Sequence, residues 1–193
     1  MKVLCEISVR HVHVTKQHLE DLFGVGAVLG NVRDLSQPGQ FLSDKKVDLV
    51  GLKRTIEGVS ILGPVRGSSQ VEIARTDCFT LGVKDVPVRQ SGDIKGSPGI
   101  VLRAGNKTIN LTEGVIVAKR HVHFDPKTAR QNNFFDGQIA CVKISGERGG
   151  TLRGVVVRVD ESFAPAIHID SDEGNALAAG AEAEVFAKNE GGN

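Results

Sequence analysis

Short apolar runs separated by turn residues dominate this chain, and several alternate with polar positions at the two-residue period of a half-buried strand. Residues 3–14, VLCEISVRHVHV, are rich in β-branched side chains and predict one continuous strand. Thr15 then reads as a helix N-cap, with Leu19, Leu22 and Phe23 as an i, i+3, i+4 stripe and Gly24 as the stop. Glycines, Asn31, Asp34 and Pro38 punctuate residues 24–39 as a loop. VDLVGL, GVSILGPV, VEIART, FTLGV, PVRQ, GIVLRAG and KTINL follow as strands of about five residues.

GVIVAKRHVHF leads into Asp125-Pro126, an N-cap with proline at the first helical position, which predicts a short helix ending near Asp136-Gly137. GQIACVKI, TLRGVVVRV, AIHID and AEAEVF resume the strand pattern, and residues 188–193 read as a frayed tail. No long segment of period 3.6 separates these runs, so the class is all-β with short helices rather than βαβ. RHVH occurs twice, at residues 10–13 and 120–123, and the repeat extends further. Gly39-Gln40-Phe41 resembles Gly137-Gln138-Ile139, Gly58-Val59-Ser60-Ile61 matches Gly154-Val155-Val156-Val157, and Val71-Glu72-Ile73 matches Ile167-His168-Ile169. The organisation expected is two related small β-barrel domains from an internal duplication, residues 1–113 and 114–193, a scheme that also allows strand exchange between the halves.

Composition narrows the function. A chain of 193 residues with 40% hydrophobic content can bury a core, and a net charge of +1 gives no general pull toward nucleic acid or anionic lipid. The absence of Trp and Tyr removes most stacking platforms, so no nucleic-acid partner is expected. No apolar run approaches the roughly 18 residues of a membrane span and no signal segment opens the chain, which predicts a soluble, cytoplasmic protein with no membrane partner. Cys5, Cys78 and Cys141 read as small buried hydrophobes, His18 as a partly exposed helical histidine, and Gly96-Ser97-Pro98-Gly99 as a turn without a phosphate-loop pattern.

In a strand, His11 and His13 share a face, as do His121 and His123. Glu72 and His168 stand at matching places, each between β-branched residues that would turn inward and leave the middle side chain on the opposite face. Each half therefore offers three candidate ligands: His11, His13 and Glu72, then His121, His123 and His168. Three protein ligands with an open position is the pattern of a catalytic zinc site, although manganese, iron and nickel share these donors. A single HxH could be two histidines on a wet surface; two copies in a duplicated chain argue for metal. The replacement of Glu72 by His168 predicts two sites that differ by one negative charge. Known HxH patterns fit poorly, because Pro126 stands where HxHxDH needs its last histidine and the chain is too short for a barrel of about 250 residues.

VRHVHVT, GPVRG at residues 63–67, QVEIARTD at 70–77, KRHVHF at 119–124 and AIHID at 166–170 together resemble the zinc-dependent phosphotransacylases of bacterial propanediol utilisation, the phosphate propanoyltransferases. The likeness runs in order through nearly the whole chain. It implies two Zn2+ ions per chain, one on His11, His13 and Glu72 and the other on His121, His123 and His168, with Arg66 as the catalytic, phosphate-handling arginine. It implies acyl-CoA plus phosphate giving acyl phosphate plus CoA in either direction, with propanoyl or acetyl as the acyl group and coenzyme A as substrate or product. Residues of the coenzyme A pocket carry no motif. Arg10 and Arg120 adjoin the ligands on the opposite strand face and read as supporting residues. Members of this family packaged in bacterial microcompartments carry an N-terminal targeting extension, whereas the metal motif here begins almost at Met1, so a free cytoplasmic enzyme is expected and shell association stays open, as does a homodimer. The competing classes are a dizinc hydrolase of thioesters or phosphoesters and a metal-stabilised, non-catalytic β scaffold.

Overall fold

The computed structural model describes residues 1–187; the tail read as frayed, residues 188–193, lies outside them. Residues 3–14, expected as one strand, form two: β1 (Lys2–Ser8) and β2 (His11–His13) are separated at Val9 and Arg10 because their ladders lie with different partners. α1 (Lys16–Phe23) carries the expected caps, with Thr15 Oγ1 accepting from the His18 N–H at 3.1 Å and the Gly24 N–H donating to the Glu20 carbonyl at 2.7 Å. The expected loop over residues 24–39 contains a short exposed strand, β3 (Asn31–Asp34).

β4 (Phe41–Val50), β5 (Thr55–Gly63) and β6 (Gln70–Glu72) follow. FTLGV, expected as a strand, is instead the end of α2 (Arg75–Leu81) and its cap, Gly82, whose φ of 74° suits glycine. A run that short cannot separate a strand from one face of a two-turn helix by periodicity. Asp77 decides it, because its Oδ2 accepts the Ala74 N–H at 3.1 Å and starts the helix. The chain continues through β7 (Val88–Arg89), β8 (Ile100–Ala104), β9 (Lys107–Leu111), β10 (Val115–Ala118) and β11 (His121–Phe124). α3 (Pro126–Gln131) has the expected Asp125 cap but stops at Asn132, ahead of Asp136-Gly137. After β12 (Ile139–Ile144), β13 (Gly150–Val159) and β14 (Ala166–Asp170) comes α4 (Ser171–Leu177), a helix unmarked in the apolar pattern, and then β15 (Glu182–Ala187). The Asp170 carboxylate caps α4 by accepting the Glu173 N–H at 2.8 Å.

The strands divide into two units. Among the described residues, one holds residues 1–8, 36–38 and 119–187; the other holds residues 9–35 and 39–118. A division at 113/114 was expected, but β10 pairs in parallel with β6 and β7, so the chain leaves that sheet only after Ala118. β1 in turn pairs with β14 and β15 and belongs with the later residues.

The first unit is a closed barrel in the order β1-β14-β11-β13-β12-β15, with β15 returning to β1. Its core includes Val122, Phe124, Val142, Val155 and Ile167. The second unit is a curled, open sheet in the order β7-β10-β6-β2-β5-β4-β8-β9, with β3 on β4. Its core includes Val12, Leu49, Ile61, Val71 and Leu102, so the second barrel expected from the duplication stays partly open. Among the described residues no helix is long and apolar enough to cross a membrane.

The same local arrangement occurs in each unit. β2 lies parallel to β5 and antiparallel to β6, with His11 opposite Glu72 and Val12 opposite Val71. β11 lies parallel to β13 and antiparallel to β14, with His121 opposite His168 and Val122 opposite Ile167. The four apolar partners are all 0% exposed, so the pleat sends them into the core and the ligand candidates to the other face.

Ile61 is registered against Val12 and fully buried. Ile61→Ala should therefore lower the unfolding free energy by about 2–5 kcal/mol, read as a reduced midpoint in urea denaturation.

Candidate metal centres

In the open sheet, the short β2 brings His11 and His13 to the face where β6 presents Glu72. Their ligand atoms lie within 4.8 Å of one another, with His11 Nε2 3.7 Å and His13 Nε2 3.9 Å from the Glu72 carboxylate. The outer ring nitrogens are taken: Nδ1 of His11 faces the Val9 carbonyl at 2.9 Å and Nδ1 of His13 faces the Leu62 carbonyl at 3.3 Å. Each Nδ1–H donates to its carbonyl, which turns Nε2 of both rings toward Glu72 as the atom that would coordinate a metal.

Burial would raise the Glu72 carboxyl. The charge and hydrogen bond of His11, the charge of His13 and the Ser91 hydroxyl outweigh it and hold Glu72 well below the usual carboxylate range. His11 is raised in return: burial lowers it, but the Glu72 charge and hydrogen bond, with the Val9 carbonyl, win. His13 is lowered to about 3 by burial and then by the positive charges of His11 and Arg66. The set thus holds one carboxylate and one firmly neutral imidazole, which are metal donors.

Arg66 joins this set through Ser91. Its Nη1 donates to Ser91 Oγ at 3.0 Å, and that hydroxyl donates to Glu72 Oε1 at 2.7 Å. Gln70 Nε2 donates to the same Glu72 oxygen at 2.6 Å and to Ser91 Oγ at 2.7 Å, while Gln70 Oε1 accepts the Gly92 N–H at 2.8 Å. The Arg66 backbone N–H is fixed on the Val14 carbonyl at 2.9 Å. Arg66 is thus held both at its main chain and at one guanidinium nitrogen.

The barrel repeats the pattern with rings alone. His121, His123 and His168 have ligand atoms within 4.8 Å of one another, and their ring centroids lie 4.7 to 5.0 Å apart. His121 Nδ1 faces the Lys119 carbonyl at 2.9 Å, as His11 faces Val9. Both ring nitrogens of His123 are buried without a hydrogen-bond partner among the described residues, and Phe163 stacks on the ring at 3.8 Å. A buried imidazole with no partner is costly, and a cation held by the three rings would satisfy it. His123 is lowered to about 2 by burial, then by His121, His168 and Arg158, so it is neutral and ready to coordinate. On this test both residue sets fit a divalent zinc-type ion.

A matched pair of clamps stands behind the two sets. Arg10, the residue before His11, pairs with Asp77 Oδ1 through Nη2 at 2.8 Å and Nε at 3.0 Å. Arg120, the residue before His121, pairs with Glu173 Oε1 at 2.8 Å. Asp77 lies five residues after Glu72 and Glu173 five after His168, each on the helix that follows the third ligand. Each arginine thus ties the start of an HVH strand to the helix beyond the third ligand candidate.

The six ligand candidates read from the sequence come together in two sets, and Arg66, implied by the resemblance, lies beside the first through Ser91. Gln70 lies two residues before Glu72, so strand alternation could have marked it. Ser91 and Phe163 come from distant segments, and no local pattern points to them. His18 is partly exposed on α1, as expected, with Nδ1 2.7 Å from Ser69 Oγ, and is not part of either ligand set.

The family model of phosphate propanoyltransferase matches residues 4–180 of this chain. A phosphate propanoyltransferase of Alkaliphilus metalliredigens is 47% identical over 178 residues, which cover 92% of this chain and 84% of that protein. Those of Listeria monocytogenes and Thermotoga maritima are each 47% identical, over 171 and 175 residues. These matches cover 89% and 90% of this chain and 80% and 83% of the respective relatives.

In the metal-free protein, acid should act on stability through these rings. Unfolded histidines protonate near pH 6.5, whereas folded His13 and His123 stay neutral down to about 3 and about 2. Their contribution is fully present above about pH 6.5 and is lost as pH falls toward the folded values, because only the unfolded chain takes up the protons. Urea midpoints of the metal-free protein should drop between pH 7 and pH 5, and drop less in His123→Phe; an equal drop in both would count against His123.

Proposed function

The chain belongs to the phosphate propanoyltransferase family, a family of acyltransferases, and we propose that it is a phosphotransacylase for short acyl groups, propanoyl or acetyl, built around two zinc ions. The observation that carries the metal reading is the recurrence of one three-ligand cluster at matching strand positions of a chain that matches the family over residues 4–180. His11, His13 and Glu72 would hold one ion, and His121, His123 and His168 the other. Bound zinc supplies Lewis-acid polarisation of an oxygen and an acceptor for thiolate sulfur.

In the reaction, a phosphate oxygen bonds to the carbonyl carbon of acyl-CoA, the carbon–sulfur bond breaks, and coenzyme A leaves as the thiolate. In reverse, the thiolate attacks acyl phosphate and phosphate leaves. Arg66 is the residue best suited to the phosphate. Its fork offers paired donors to an anion, and its anchoring by Ser91 and Val14 removes the cost of orienting it during the reaction. Glu72 keeps a negative charge beside His11, while Gln70 and Ser91 hold that carboxylate in place with three hydrogen bonds among them.

The purified protein should contain about two zinc ions per chain and release coenzyme A from propanoyl-CoA only when phosphate is present. Release at the same rate without phosphate would sink the transferase and favour a hydrolase. Arg66→Ala should keep its fold and metal yet lose roughly 10²-fold or more in kcat/KM, the scale for removing a preorganised charge stabiliser. Undiminished activity in that variant would remove Arg66 from the phosphate site.

A further inference from the structure

The two ligand sets differ in one member, Glu72 against His168, and by themselves would differ by one negative charge. The neighbouring strands offset that difference. In the barrel, β1 runs parallel to β14 with Glu6 in register with His168. In the open sheet, β10 runs parallel to β6 in the same relation, with Ile116 in register with Glu72. Where the ligand is a carboxylate, its strand neighbour is a fully buried isoleucine; where the ligand is an imidazole, its neighbour is a carboxylate. Glu6 Oε2 lies 3.4 Å from His168 Nδ1.

Glu6 is itself held in place. Ser36 Oγ donates to the same Oε2, and Gln37 Nε2 approaches Ser36 Oγ at 3.5 Å. Gln37, only 4% exposed, fixes its own amide on both sides of Ala164, donating to the carbonyl at 3.1 Å and accepting the N–H at 3.3 Å. His11, His13 and His121 direct Nδ1 at the backbone carbonyls of Val9, Leu62 and Lys119. Among the described ligand candidates, His168 has a side-chain carboxylate in that place. A carboxylate behind an imidazole fixes the ring's tautomer and orientation and makes its other nitrogen the stronger donor to a metal.

We infer that Glu6 is a positioning residue of the barrel metal site, supplying through His168 the negative charge that Glu72 supplies directly in the other site. The inference rests on the two-zinc reading and deepens it: the sites differ in where the carboxylate stands, not in whether they have one.

Zinc-free wild type, Glu6→Gln and Glu6→Asp can be titrated with Zn2+ against a chromophoric chelator, with His123→Ala identifying the step that belongs to the barrel. Glu6→Gln should weaken that step roughly 10- to 100-fold and leave the other unchanged, and Glu6→Asp should recover part of the loss. In the Co2+-loaded protein, Glu6→Gln should also change the visible absorption of the barrel ion. Wild-type affinity at both steps in Glu6→Gln, with two ions bound by wild type, overturns the role of Glu6 alone. Equal weakening of both steps would indicate a general loss of structure and overturn it too. A wild-type chain that takes up no zinc overturns the two-zinc reading and this inference with it.

Discussion

The antiparallel register between the HVH strand and the strand of the third ligand sets everything else in each unit. Side chains alternate across a strand, so a slip of one residue would move apolar side chains out of the core and put a ligand candidate in their place. Burying a valine or isoleucine contributes about 1.5–3 kcal/mol, and each register is held by two such residues opposite one another, both 0% exposed. The apolar far side therefore fixes the polar near side. Rings that would otherwise repel on protonation are gathered because their neighbours on the strand belong to the core.

Second to that register come the contacts that aim five of the six ligand candidates. Backbone carbonyls orient His11, His13 and His121, while side chains orient Glu72 and His168. The arginine clamps tie each HVH strand to the helix after the third ligand. Their recurrence at matching positions of both halves marks them as part of the repeated unit, together with the ligand candidates. Arg66 and its Ser91 link belong to one unit only, so the duplication has kept the donor geometry while giving the halves different surroundings.

Strand alternation and the repeat exposed the all-β class, the six ligand candidates and most strands, since these depend on residues close in sequence. Features that depend on distant pairing stayed hidden. The strand of residues 3–14 breaks at Val9 and Arg10 because each part finds a different ladder, and no local pattern announces a change of partner. FTLGV became helix because Asp77 caps Ala74 ahead of it. Glu6 pairs with His168 across 162 positions, a distance at which only the closed barrel brings them together.

The break at Val9 and Arg10 also says something about how the halves depend on each other. β1 opens the first repeat yet fills a place in the barrel between β14 and β15, and β10 opens the second repeat yet lies between β6 and β7 in the open sheet. A fragment beginning at Lys119 would lack β1 and leave the strands on either side as raw edges. A single repeat standing alone would have no strand for that place except one lent by another copy. The repeat visible in the sequence is thus not the unit that folds: each folded body is completed by a strand from the other repeat.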